Sequence, residues 1–480
     1  MPLVATNPGP RSRRMNGLPD WSKLIGLMLI GLMVFQGIDS WLHVSALGIP
    51  SLCIMVALVP YLLLRGGKVG RLFVMFSILS AALALIRLEN APEVLTEALT
   101  RAAFFQAFLT AVFTLQEAAS RSSTINRVGL FLISQPLRKQ SILTLLGTNL
   151  MALMMNMGSL VMIGTLARDR MVNDDTGGSG ATERGWMTAV AALRGFSPTA
   201  TWSPLALPPV FLSSLYPEVS LAETMMVGVV ISVAILAISC LFTFWQAAAI
   251  ARKSHAPDAE ALPLPGRSMA RLTLLLSAIF AAIYLAAHWL EMSTSAAVLV
   301  IIPVTSCLWL TVGQGHTFGS LVEGPLRNMV FHRLPIQAAE TSVIVSAAFL
   351  GPVLIALFPM EEAAQVVIGA HLSGAWLMSL IFLGIIALAM IGLNPVLTST
   401  LAIAVLGDPG NFGLTPLMII AVILPAWALA AQFSPYTGTA TIVSRMFNVS
   451  PERLVFVRNG PFMVLSLTLS LVAIHVSHPG

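Results

Sequence analysis

Hydrophobic residues run along this chain in long unbroken blocks, not in the one-in-two or one-in-three rhythms of soluble strands and helices. Blocks at 21–38, 47–64, 72–86, 102–115, 186–212, 225–248, 272–290, 296–312, 341–358, 414–446 and 462–476 are almost free of charge. About 20 apolar residues of helix cross the roughly 30 Å of a bilayer's hydrocarbon, so each block predicts a membrane span. Two further apolar stretches, 141–167 and 372–406, carry polar and helix-breaking residues at their centres: Asn156, Gly158 and Ser159 in the first, Gly392, Asn394 and Pro395 in the second. The pattern predicts an all-α polytopic membrane protein with about 11 transmembrane helices and two re-entrant hairpins.

Charge orients the spans, because Lys and Arg gather in cytoplasmic loops. Arg65, Lys68 and Arg71, then Arg121, Arg127, Arg138 and Lys139, then Arg327 and Arg333, and finally Arg445, Arg453 and Arg458 mark inner loops. Glu89, Glu93 and Glu97, and later Glu361 and Glu362, mark outer ones. The stretch 141–167 is flanked by basic residues on both sides, since Arg168, Arg170 and Arg184 follow it. A hairpin that dips in and returns keeps all of them inside; an ordinary span would put the second set outside, and both readings stay open. With hairpins, the amino terminus lies in the cytoplasm and the carboxyl terminus outside. Residues 1–46 form a tail and a first span, 47–250 a first repeat with broken helix 186–212, and 251–271 a cytoplasmic linker marked by Pro257, Pro263 and Pro265. Residues 272–480 form a second repeat with broken helix 414–446. Five spans and one hairpin per repeat is an odd crossing number, so the repeats are expected to be inverted.

Composition agrees: 56% of residues are apolar and 10% charged, against about 25% charged in soluble domains. The net charge of +5 is spread over loops, so the lipid bilayer is the expected partner and nucleic acid is not. Met1 to Asp20 reads as a cytoplasmic tail and not as a cleaved signal. Cys53, Cys240 and Cys307 have no short spacing, so they predict neither disulfide nor metal site and are expected as small buried hydrophobes. No cofactor motif is present, and no nucleophile or His-rich or Asp-rich constellation points to an enzyme.

Two short matches recur near half the chain length. Phe196-Ser197-Pro198 returns as Phe433-Ser434-Pro435, and Thr165-Leu166-Ala167 as Thr400-Leu401-Ala402. Each Phe-Ser-Pro opens a run rich in hydroxyls: Ser197, Thr199, Thr201 and Ser203, then Ser434, Thr437, Thr439 and Thr441. Proline removes a backbone donor and crowds the preceding turn, and freed backbone groups in lipid must meet something polar. The expectation is a broken helix facing a cavity or ion; the simpler reading is a proline kink with hydroxyls bonded back to the helix. Arg194 stands just before the first break. A cation at that depth is costly; pairing with an anionic substrate would compensate it, and snorkelling or bonding to hairpin carbonyls is the alternative.

This arrangement resembles the ion transporter superfamily, most closely the divalent anion sodium symporter family, and is also similar to the membrane subunit of tripartite periplasmic carriers. The hairpin tips here read Asn156-Met157-Gly158-Ser159 and Asn394-Pro395-Val396-Leu397-Thr398, in place of the symporters' Ser-Asn-Thr. The resemblance implies inverted repeats and a cation site from Asn156, Ser159, Ser197 and Thr199. It implies a second from Asn394, Thr398, Ser434 and Thr437, with substrate between the tips touching Asn156, Ser159, Asn394 and Thr398. It further implies secondary transport of a small organic anion by an elevator movement, a homodimer, and a bacterial inner membrane. A subunit that needs a soluble binding protein, or an ion exchanger of the same superfamily, are the alternative functions. All carboxylates fall in loops or at segment ends, Asp39, Glu117 and Glu340 lying nearest to hydrocarbon, so Na+ is the expected coupling ion. His288 and His371 lie in apolar runs, and His371 is the one plausible proton carrier otherwise.

Overall fold

The computed structural model describes residues 21–42, 45–173, 179–253, 261–313, 318–358 and 360–477. Among these there are helices and no strands. In chain order they are α1 Trp21–Leu42, α2 Gly48–Arg65, α3 Gly67–Arg87, α4 Ala91–Ser120, α5 Ser123–Ile133, α6 Leu137–Met155 and α7 Gly158–Asn173. Then follow α8 Ser179–Phe196, α9 Thr199–Trp202, α10 Leu207–Leu215, α11 Leu221–Lys253, α12 Gly266–Trp289, α13 Thr294–Leu308 and α14 Phe318–Leu321. The last seven are α15 Ala338–Leu357, α16 Met360–Gly369, α17 Gly374–Met390, α18 Pro395–Leu406, α19 Pro416–Phe433, α20 Gly438–Phe447 and α21 Gly460–Ser477.

Among the described residues ten helices are long and apolar enough to cross a membrane, so the protein is an all-α polytopic membrane protein. The eleventh expected span, 186–212, is divided into α8, α9 and α10, and none of the pieces alone combines the required length with low charge. α4 and α15 form the centre, packing on each other and on α3, with α1 and α13 also against α4. They are mostly buried, whereas α2, α3, α11, α12 and α21 turn most of their apolar residues outward, the surface a bilayer would cover.

Several expectations change. The stretch 318–337, read as an inner loop, is α14 followed by π-helical turns at Val322–Leu326 and Met329–Arg333 and a 3₁₀ turn at Leu334–Gln337; its charges masked its helicity. The basic segment after α4 contains α5, whose start is capped by the Ser122 hydroxyl accepting from the Ile125 N–H. The cysteines are not core residues: Cys53 is exposed and the other two half-buried, as suits small residues facing lipid. His371 is exposed in the turn before α17 with φ 49°, and His288 is exposed near the end of α12. The tail 1–20, most of the loop 174–180 and the central part of the linker lie outside the described residues.

One constant step in residue number runs through the chain, the step that carries Phe196-Ser197-Pro198 to Phe433-Ser434-Pro435. It separates the starts of α5 and α16 (Ser123, Met360), α6 and α17 (Leu137, Gly374), α7 and α18 (Gly158, Pro395), and α8 and α19 (Ser179, Pro416). The same step separates the ends of α4 and α15 (Ser120, Leu357) and of α8 and α19 (Phe196, Phe433). Packing repeats with it, since α6 packs chiefly on α8 and α17 on α19.

Candidate functional site

Each helix pair at the expected hairpins turns on an asparagine. α6 stops where Asn156 takes φ 47°, and the Ser159 hydroxyl donates to the Asn156 carbonyl at 2.7 Å. At the other tip Gly392 takes φ 97°, and the Asn394 side chain accepts from the Val396 N–H at 2.8 Å, capping α18. The Thr398 hydroxyl donates to the carbonyl of Pro395 at 3.3 Å.

The two breaks are tied to these pairs in parallel ways. At the first, the Asn149 amide of α6 donates to the Gly195 carbonyl and to the Thr199 hydroxyl, both at 3.0 Å, and Thr199 donates back to the Asn149 carbonyl. A Cβ on Gly195 would collide with the Leu145 carbonyl, so only glycine lets α6 and α8 approach this closely. At the second, Ser434 donates to the Ala389 carbonyl of α17 at 2.7 Å, while Thr437 and Thr439 both donate to the Ala431 carbonyl. The hydroxyls thus satisfy backbone groups that the prolines and helix ends leave free.

The breaks also meet each other. The Gln432 amide donates to the Ser197 hydroxyl at 2.5 Å. Met157 of the first tip lies over Gly438 of the second break, and Gly392 of the second tip lies against Tyr436. The structure therefore gathers Met157, Ser197, Gly392, Ser434 and Thr437 around one crossing.

Arg194 is not among them. It is fully buried, donating through Nε to Asn459 at 2.8 Å and through Nη1 to Thr243 and Gln246, both at 2.9 Å. Its guanidinium carbon lies 5.0 Å from the Phe242 ring centroid and 4.5 Å from that of Phe462. It neither snorkels nor bonds hairpin carbonyls; neutral dipoles and two ring faces compensate the charge, and Nη2 has no partner among the described residues.

A cavity of about 280 Å³ opens between the inner part of α4, the tip and second arm of the first pair, and the segment before α15. Its polar wall holds Gln116, Glu117, Arg333 and Gln337; Phe113, Met155, Met162 and Met329 are among its apolar residues. Glu117 is 8% exposed and joins two cations, Arg121 at 2.7 Å and Arg333 at 2.9 Å. The matching seam of the second half is shut: α18 packs on α15, and a Cβ on Gly351 would lie 2.8 Å from the Thr400 methyl.

Charge separates the ends of the molecule. Tyr61 donates to the Pro335 carbonyl at 2.9 Å, and Ser342 contacts Gly66 and Gly70, so the basic α2–α3 turn shares an end with Arg121 and Arg333. Tyr216, near Glu218 and Asp408, has its phenol pushed up by burial and then by those carboxylates.

No protein-family model and no curated protein matches the sequence. Solved structures with a similar fold include two transporters. One is the YdaH transporter of Alcanivorax borkumensis, described as having an unusual topology, at 14% identity and a TM-score of 0.53 over 85% of this chain and 98% of that one. The other is MtrF of Neisseria gonorrhoeae, described with a class of antimetabolite efflux pumps, at 12% identity and a TM-score of 0.56 over 87% of this chain and 96% of that one. The chain shares their fold.

Three groups of polar residues escaped sequence reading. Asn149 is one polar residue in an apolar block, and Glu117, Gln116 and Arg333 are brought together across a separation of 216 residues between Glu117 and Arg333. Gln432 carried a usable signal, a side-chain amide immediately before Phe433-Ser434-Pro435.

Proposed function

We propose that the protein is a secondary transporter that carries a small organic anion across a membrane. Substrate sits between the two hairpin tips, touching Asn156, Ser159, Asn394 and Thr398. Sodium is the coupling ion, held by Asn156, Ser159, Ser197 and Thr199 and by Asn394, Thr398, Ser434 and Thr437. The hairpins and broken helices slide as an elevator against a scaffold built on α4 and α15, which pairs with a second copy in the inner membrane. The two repeats are inverted, as the resemblance to the ion transporter superfamily implies.

The observation that carries the reading is the pair of matched breaks, equivalent under the constant step and tied together through Gln432 and Ser197. A kink that only bent a helix would need no partner break. The unequal seams support alternating access: one lies open beside the basic end while its counterpart is shut. The fold shared with two transporters points the same way. Sodium is favoured over protons because the hydroxyls and amides at the crossing are neutral oxygen donors of the kind hard cations accept. Glu117, the buried carboxylate nearby, is engaged by two arginines. Arg194 acts as a positioning charge behind the first break.

The test is uptake of a panel of organic anions by purified protein in vesicles, with sodium and proton gradients imposed separately. Sodium-driven uptake that weakens in Ser197→Ala and Ser434→Ala is the expected result. Uptake driven fully by a proton gradient without sodium ends the coupling claim.

A further inference from the structure

The open seam carries chemistry that its closed counterpart lacks. The constant step leads from Gln116, Glu117 and Ser120 to Val353, Leu354 and Leu357 on α15, and Val353 belongs to a small apolar cluster there. A packing surface needs no glutamate nine-tenths buried, nor two guanidinium groups set against one carboxylate. Nor does it explain the Gln116 side-chain oxygen, which is buried without a hydrogen-bond donor among the described residues. An unpaired acceptor of this kind carries a desolvation cost that nothing in the packing offsets.

We infer that this cavity is a recognition site for a compact carboxylate with an apolar body and an O–H or N–H donor, read by Arg333 and Gln116. Among the described residues Arg333 meets Glu117 only through Nε, which leaves its two terminal nitrogens for a ligand carboxylate in the paired geometry that guanidinium favours. Glu117 keeps its Arg121 partner through two hydrogen bonds, so it holds Arg333 in place without cancelling the cluster's positive charge. Gln116 accepts the ligand's donor. Phe113, Met155 and Met162 receive the apolar body, methionine adapting to its shape. The volume of about 280 Å³ sits just under the roughly 300–1,000 Å³ of drug-sized ligand pockets, which sets the scale at a single ring or a short branched chain.

This rests on the transporter reading for its purpose: Phe113, Gln116, Glu117 and Arg333 belong to the scaffold and Met155 and Met162 to the first hairpin, so substrate meets them together only when the first tip stands beside the inner part of α4. The site is the basic-end waiting position of the cargo, distinct from the position between the tips.

The probes are mandelate, phenylacetate and neutral phenylacetamide, titrated against full-length purified protein by calorimetry and thermal shift. Wild type should bind mandelate best, phenylacetate more weakly and phenylacetamide weakest. Arg333→Gln should weaken both acids roughly ten- to a hundredfold, the loss of one charge-assisted contact, with little effect on phenylacetamide. Gln116→Leu should erase the preference for mandelate over phenylacetate while leaving phenylacetate binding near wild type. Arg333→Lys retains the ion pair with Glu117 and serves as the folding control; it should unfold near the wild-type temperature yet bind the acids more weakly. Equal affinity of wild type and Arg333→Gln for the acids overturns the assignment, as does binding of none of the probes by wild type. Vesicle uptake separates the two claims. Acid uptake indifferent to Arg333 removes this site and keeps the transporter; acid binding that depends on Arg333, with no uptake of any anion, keeps the site and removes the transporter.

Discussion

The two halves of the molecule share a plan and differ in state. In the first, α7 stands off from α4 across a polar cavity; in the second, α18 lies directly on α15. Equivalent helices begin one constant step apart, so the same backbone scheme supports both an open and a shut seam. The side chains differ more than the backbone does: Gln116 and Glu117 stand in the open seam beside apolar residues, and the constant step carries them to Val353 and Leu354 in the other half. Shape repeats where the fold needs it, while recognition chemistry is kept to one end.

The largest expected effect comes from fixing the shut seam. A Cβ on Gly351 would lie 3.8 Å from the Thr400 Cβ, close to the mean for a disulfide. In a background without Cys53, Cys240 and Cys307, Gly351→Cys with Thr400→Cys should cross-link under mild oxidation and abolish transport, with recovery on reduction. The equivalent pair in the first half, Thr114→Cys with Ile163→Cys, should cross-link only while transport is running. If it links equally fast in resting protein, the open-and-shut contrast fails.

Next is the close approach of α6 and α8. Gly195→Ala drives a methyl into the Leu145 carbonyl and should cost about 1 to 3 kcal/mol, read as a lower melting temperature in detergent. Its counterpart in the second half is Gln432, which makes a side-chain bond instead of a bare contact. Gln432→Leu removes the link to Ser197 and should cost about 1 kcal/mol; a melting point unchanged from wild type would mean that the two breaks are not coupled.

The smallest effect lies at the basic end. Hydrogen bonds from Arg458 hold the Glu183 carboxyl below its usual range. A depressed carboxylate pKa stabilises the fold above the ordinary carboxylate range, and that contribution fades as pH falls through the folded value. Both side chains are about a third exposed, so the gain is modest. Acid denaturation of Glu183→Gln should begin from a slightly lower plateau and lose less on acidification; curves that run parallel would remove the pair from the account.

Spans were legible because lipid demands long charge-free helices, and that demand writes itself into consecutive residues. The helix interruptions at Asn156 and Asn394 and at Ser197 and Ser434 were legible for a related reason, since prolines and hydroxyls break such runs visibly. α5 and α16 were not, being short and partly polar. Arg194 was visible as a buried charge, but its partners Thr243, Gln246 and Asn459 lie on other segments, and local sequence does not say which way a side chain turns. The cavity was hidden for the same reason, because Glu117 and Arg333 looked like ordinary loop charges until α4 and the segment before α15 were seen to run past each other.

The surroundings of Arg194 bear on how the chain is made. An arginine in a membrane-inserted helix raises the cost of insertion, by up to about 2.5 to 3.5 kcal/mol at the helix centre, and Arg194, in the last turn of α8, emerges from the ribosome before any of the groups that offset it. Thr243 and Gln246 arrive with α11, but Asn459 follows 265 residues after Arg194. Until then the helix lacks the partner of its Nε and one of the two rings, Phe462. The first broken helix should therefore wait at the translocon or the membrane surface and settle only when α21 is threaded, so the order of synthesis and the order of assembly diverge. Chains truncated before Asn459 should leave α8 accessible to aqueous reagents, a half-built membrane protein held open by one unsatisfied cation.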